Sequence, residues 1–185
     1  MATSLRRIIA DGLKRLVQTQ PRPQRQRRTG SPSPARTEPA SPGQFGSSAT
    51  VEVRGRDIGS PHIEWCPELD GDPDPGEVIW TWVPYEEADG RGKDRPVLVF
   101  ARESGGTVLA IQLSSRDHAH DRGWVRLGRG GWDRQGRESW ANVRRILRVH
   151  PDGMRREGDL TDRDDFQRVV AALTRAGPDG PRRHG

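Results

Sequence analysis

Apolar positions along the chain fall into short runs broken by glycine- and proline-rich turns. Residues 77–83 (EVIWTWV) alternate, placing Val78, Trp80 and Trp82 on one side with the two-residue period of a strand. Core packing is the expectation for both tryptophans. Residues 96–101 (PVLVFA) and 108–113 (VLAIQL) are continuous apolar runs with the length of buried strands. Ser104-Gly105-Gly106 between them is a hairpin signal. Residues 124–127 (WVRL) predict another strand, followed by the turn GRGGWD. Residues 138–143 and 146–149 read as extended, with a helical turn over 142–147 as the alternative, and Pro151-Asp152-Gly153 is a turn. The period then changes. Phe166, Val169, Val170 and Leu173 are spaced i, i+3, i+4, i+7, Thr161 with Asp164 resembles a capping box, and Gly177-Pro178 stops the helix. Five or six short strands and one terminal helix predict an α+β domain built on a small barrel or strongly bent sheet.

The N-terminal part has a different texture. Residues 4–18 have a helical period, with Leu5, Ile8, Ile9, Leu13 and Leu16 on one face of a basic amphipathic helix. Residues 19–48 are rich in Pro, Arg, Ser, Gln and Gly and predict a disordered linker. Residues 49–74 read as an extended arm packing on the domain, with a possible strand at 51–58 and Trp65 as the packing residue. Residues 70–75 (DGDPDP) form a turn, residues 75–176 the folded domain, and residues 177–185 a flexible tail.

Charge changes how this layout is read. The whole chain has net charge +5 and a pI of about 10.5, values associated with nucleic-acid partners. Residues 1–48, however, hold nine Lys/Arg against Asp11 and Glu38, a net +7, which leaves −2 for residues 49–185. The basic pI thus describes the arm, and a binding surface on the domain must come from local clustering. The single cysteine, Cys66, excludes an intrachain disulfide and a cysteine-based zinc site, and fits a reducing cytoplasm. No apolar run approaches the length of a membrane span.

Two segments carry candidate chemistry. In residues 89–96 (DGRGKDRP), Arg91, Lys93 and Arg95 occupy alternate positions ahead of a buried strand. A guanidinium fixed there can donate two hydrogen bonds to a phosphate; a solvated loop with an Arg–Asp pair is the plainer reading. After the next buried strand come Ser114, Ser115, Arg116, Asp117 and His118. Hydroxyls at a strand end can bond a scissile phosphate, and Asp117 and His118 can serve as acid and base; loop residues bonding their own backbone are the commoner case. Adjacent acidic and histidine ligands in one loop, DHAHD, are weak evidence for a metal, and none is assigned.

The order of these segments is similar to the PemK/MazF toxins over about 100 residues. The resemblance rests on the PGEVIW start at 75–80, the charged glycine loop, Arg95-Pro96-Val97-Leu98-Val99, then Ile111-Gln112-Leu113-Ser114-Ser115, and the 143–149 segment before the helix. It implies an SH3-like β-barrel, a homodimer with RNA in an interface groove, an antitoxin partner, and cofactor-free, metal-independent cleavage by the ribose 2′-hydroxyl. The family's essential Arg falls on Arg95 and its essential Thr on Ser114, with Ser115 the near alternative; Arg91, Lys93 and Arg116 are implied RNA contacts. Some members carry a Glu five residues before the Arg, where this chain has Gly90, with Asp89, Glu87 and Asp94 as substitutes. A non-catalytic barrel that binds DNA, RNA or, as in CcdB-like relatives, a protein is the alternative.

Overall fold

A computed structural model describes residues 40–68 and 71–177. The helix expected at 4–18, residues 19–39 of the linker, and the tail beyond Gly177 lie outside the described residues.

Eight strands make a strongly curled antiparallel sheet: β1 (Val51–Val53), β2 (Glu77–Pro84), β3 (Gly92–Arg102), β4 (Val108–Ser114), β5 (Trp124–Gly128), β6 (Ser139–Asn142), β7 (Ile146–Val149) and β8 (Met154–Leu160). Among the described residues one α-helix, α1 (Arg163–Ala176), follows. The main path runs β1-β7-β4-β3-β2-β8, and β5 and β6 branch from the end of β4. β3 borders one side of β4 from Val108 to Gln112. On the other side, β7 pairs with Val108–Ala110 and β6 with Leu113 and Ser114. Two partners in succession on one edge turn the sheet through a corner, and this bend makes the half-barrel.

The apolar runs do not alternate because both faces of β3 and β4 are covered. On one face Leu98, Leu109, Ile111 and Leu113 pack with Phe166 and Val169 of α1. On the other Val97, Val99, Val108 and Ala110 pack with Ile79, Val83, Leu147 and Val149. The four apolar helix positions all turn inward: Phe166 and Val169 are buried, and Val170 and Leu173 pack against the same core.

Several expectations are corrected. Asp162, not Thr161, caps α1, accepting from Asp165 N–H at 2.7 Å. The Thr161 hydroxyl donates instead to Gly76 O at 2.9 Å, tying the helix entry to the start of β2. The Asn142–Leu147 alternative of a helical turn gives way to strands β6 and β7 joined by a tight turn. Strand β8 has no apolar signature, because Arg155, Arg156 and Asp159 dominate it, yet it pairs with β2. Trp80 and Trp82 do share a face with Val78, but the core ends at Val78 and both rings are only half-buried.

Residues 40–48, assigned to the disordered linker by composition, form a turn fixed on β2. Trp82 N–H donates to Pro42 O at 3.1 Å, and Thr50 N–H donates to Gly43 O at 2.8 Å. Thr81 donates its only hydroxyl proton to Gly153 O at 2.6 Å. Its lone pair therefore accepts from Thr50 at 2.6 Å, a buried relay. Gly43 sits in this crossing at φ +79°, where a Cβ would overlap Thr81 Oγ1 and Gly153 O. The arm beyond it also packs on the domain: β1 pairs with β7, and Trp65 packs on the helix-side core with Arg163 over its ring.

Two stability tests follow from these contacts. Gly43→Ala combines a left-handed backbone with a clash, and should destabilise the protein by about 1–3 kcal/mol in urea unfolding. Glu103, beside the β3–β4 turn, accepts two hydrogen bonds of 2.6 Å from Arg148 on β7. Those bonds hold its carboxyl below the usual glutamate range. A depressed carboxyl pKa stabilises above the unfolded value and loses that contribution as pH falls through the folded one. Glu103→Gln should therefore cost about 1–2 kcal/mol at neutral pH, and the difference from wild type should shrink as acid protonates Glu103.

Candidate nucleic-acid site

The bend in β4 opens a hollow of about 490 Å³ beside the end of β3. It gathers Lys93 and Arg95 from β3 with Ser114, Ser115, Arg116 and His118 from the end of β4 and the loop that follows. These six residues come from two segments about twenty positions apart in sequence. The antiparallel pairing of β3 with β4 brings them to one edge.

Arg95 is half-buried, and among the described residues no carboxylate pairs with it. Burial draws its pKa below the ordinary arginine value; Tyr85 opposes the shift, and Arg116 and Arg145 add to it. Arginine does not lose its proton in such a setting. The energetic consequence is a partly desolvated cation lacking a counter-ion, a state that an incoming phosphate relieves.

Ser114 accepts from Arg116 N–H at 3.2 Å and lies 3.3 Å from His118 Nε2. Oγ keeps its proton and a second lone pair, so it pairs with Nε2 in either tautomer of the imidazole. The His118 ring stacks flat on Trp124, with centroids 3.7 Å apart and planes 5° apart. Burial pushes the imidazole pKa down, Asp121 and Asp117 push it back up, and Arg116 and Arg144 lower it. The net effect is a pKa below the usual histidine range, which favours the neutral imidazole.

The loop bearing His118 is clamped from outside. Arg144, in the β6–β7 turn, forms a fork on Asp121, with NH1 2.8 Å from Oδ2. Its guanidinium lies where a side chain on Gly123 would project, so the close approach requires glycine there.

Other candidates fall elsewhere. Arg91 lies outside the hollow, bonded to Asp89 through Nε at 2.6 Å and lying over the Tyr85 ring. Asp117 faces a neighbouring hollow and accepts from Ala119 N–H at 2.8 Å; it reaches His118 only through its charge. Of the three carboxylates considered in place of the glutamate, only Asp94 lines the hollow, and it pairs with Arg155 of β8. Trp80 and Trp132 line the same wall. Trp132 is buried and donates Nε1–H to Ser139 Oγ at 2.9 Å. In sequence it lies in a turn motif, GRGGWD, whose only hint of this role is a large aromatic among glycines.

A curled antiparallel sheet that carries a cationic hollow at its bent edge defines the class. A family model described as PemK-like, MazF-like toxin of type II toxin-antitoxin system matches residues 74–176, and the chain belongs to that family. Among solved structures, it is similar to a MazE–MazF crystal structure from Deinococcus radiodurans (form III), at 16% identity over 56% of this chain and 94% of that one, with a TM-score of 0.41. A second crystal form from the same organism (form II) gives 16% identity, 56% and 93% coverage, and a TM-score of 0.39. No curated protein matches the chain.

The electrostatics of His118 can be checked directly. Asp121→Asn removes the largest influence raising its pKa and releases Arg144 beside it. An NMR titration should then show His118 titrating at a lower pH than in wild type; an unchanged or higher value would contradict the arrangement.

Proposed function

We propose that this chain is a growth-inhibiting endoribonuclease that cuts single-stranded RNA through its own 2′-hydroxyl, without a metal. The observation that carries the reading is the uncompensated Arg95 guanidinium in the same hollow as the Ser114–His118 pair. His118, whose lowered pKa favours the neutral imidazole, takes the 2′-hydroxyl proton, and Ser114 holds that group or a phosphate oxygen in line. The 2′-oxygen attacks the adjacent phosphorus, Arg95 binds the charge that grows on the phosphorane oxygens, and Lys93 and Arg116 hold neighbouring phosphates. The P–O5′ bond breaks, water supplies a proton to the departing 5′-oxygen, and the products are a 2′,3′-cyclic phosphate and a 5′-hydroxyl. Family membership supports an antitoxin and a homodimer as protein partners, with RNA in the cytoplasm as the substrate. DNA lacks the attacking hydroxyl, so the reading allows it to bind but not to be cut.

A competing reading, a barrel that binds without cutting, is favoured by Gly90 at the glutamate position and by the pairing of Asp94 with Arg155. One experiment separates the two. Purified full-length chain is incubated with a long single-stranded RNA and EDTA, alongside Arg95→Ala and His118→Ala. Wild type should cut, and Arg95→Ala should be slower by about 10²–10³-fold. Because a base must be deprotonated to act, the wild-type rate should fall as pH drops through the His118 pKa, below the usual histidine value. His118→Ala should lack that fall. Cleavage that Arg95→Ala does not slow, or that EDTA abolishes, would end this mechanism.

A further inference from the structure

A second hollow, of about 390 Å³, adjoins the first. Ser115 lines both. The second is bounded by Asp117, Arg126, Glu138 and Trp140. The sheet register places these residues relative to the reacting centre. Ser114 of β4 lies directly opposite Trp140 of β6, and Trp140 lies directly opposite Arg126 of β5. Directly opposed residues project to the same face about 4.5–5.5 Å apart. Ser114, Trp140 and Arg126 therefore form a row across three strands. In the adjacent row Leu113, Ala141 and Val125 belong to or pack against the core, so the row with Trp140 faces away from it.

Core packing does not account for an indole at this place. Trp65 and Trp132 pack in the helix-side core, but Trp140 joins neither core cluster. Among the described residues the cations lying over aromatic rings are at Tyr85, Trp80 and Trp65, and the stacked ring pair is His118 with Trp124. The Arg126 guanidinium is turned instead to Glu138, with Nε donating at 3.1 Å. Trp140 is half-buried and lines the second hollow, opposite Ser114.

The charges of the two hollows differ. The first presents four cations, Lys93, Arg95, Arg116 and Arg137, against the carboxylates of Asp94 and Asp133. The second presents one guanidinium and two carboxylates, those of Asp117 and Glu138. That balance disfavours a phosphate and suits a flat, uncharged group. Resting on the ribonuclease reading above, we propose that Trp140 is a stacking platform for the RNA base next to the scissile phosphate. Phosphates occupy the cationic hollow, and the neighbouring base turns onto the indole, an arrangement that tolerates any base because each has a π-face.

The test uses a short RNA whose cleaved position has first been mapped with wild type. That position is made 2′-deoxy to block cutting, and binding to the full chain is followed by fluorescence anisotropy. Trp140→Ala should bind about 5- to 100-fold more weakly, while Trp140→Phe stays near wild type. Removing the base on one side of the scissile phosphate should weaken wild type by a similar factor. It should add nothing to Trp140→Ala. Because abasic RNA is measured on wild type, the platform is tested even where the alanine variant fails to fold. Trp140→Ala binding equal to wild type, or effects that multiply, would overturn the platform while leaving cleavage and the Arg95 dependence intact. A wild-type chain that binds no RNA would overturn both proposals.

Discussion

The split pairing of β4 is the constraint on which the rest of the molecule depends. One edge of this strand is satisfied by β3. The other is divided between β7 near its start and β6 near its end. The partner on that edge changes from β7 to β6, and the β5–β6 pair branches from the main sheet there. Gln112, Leu113 and Ser114 lie at that branch, and the hollow opens there. The curl and the helix cover both faces of β3 and β4, which explains their unbroken apolar runs.

Around that corner the polar groups fall into two kinds. Structural ones are paired and shielded. The buried Arg145 binds Glu52 and the carbonyl of Pro84. Arg102 joins Asp74 at 3.0 Å, and Thr50, Thr81 and Gly153 form a closed relay. Arg95 differs from these, since burial has removed part of its hydration and, among the described residues, no carboxylate pairs with it. Leaving a cation in that state costs stability, and structures tolerate such a cost where a ligand will supply the missing charge. His118 is handled with similar economy: stacking on Trp124 desolvates it, while the Asp121–Arg144 fork fixes its loop.

The paired carboxylates also shape the electrostatics. The domain is close to neutral by composition, yet the hollow is cationic because its two lining carboxylates, Asp94 and Asp133, are engaged by Arg155 and Arg137. Local pairing, not net charge, gives the site its sign. That is why the basic pI, which belongs to residues 1–48, was a poor guide to it.

The sequence by itself determined the elements whose signal is local. The apolar runs of β3 and β4, the alternation of β2, and the i, i+3, i+4, i+7 stripe of α1 each reflect burial that neighbouring residues share. Arg95 and Ser114 were also legible, since each stands at the end of an apolar strand in a colinear family pattern. Tertiary structure decided what depends on distant partners. β8 is a strand because β2 offers it a free edge, though its own residues are charged. Residues 40–48 are ordered because Gly43 fits a crossing made by Thr81 and Gly153, which no linker-like composition reveals. Trp80 and Trp82 obey the predicted period, yet they line a surface because the helix-side core ends at Val78. Periodicity specifies which residues share a face; only the assembled sheet specifies what that face meets.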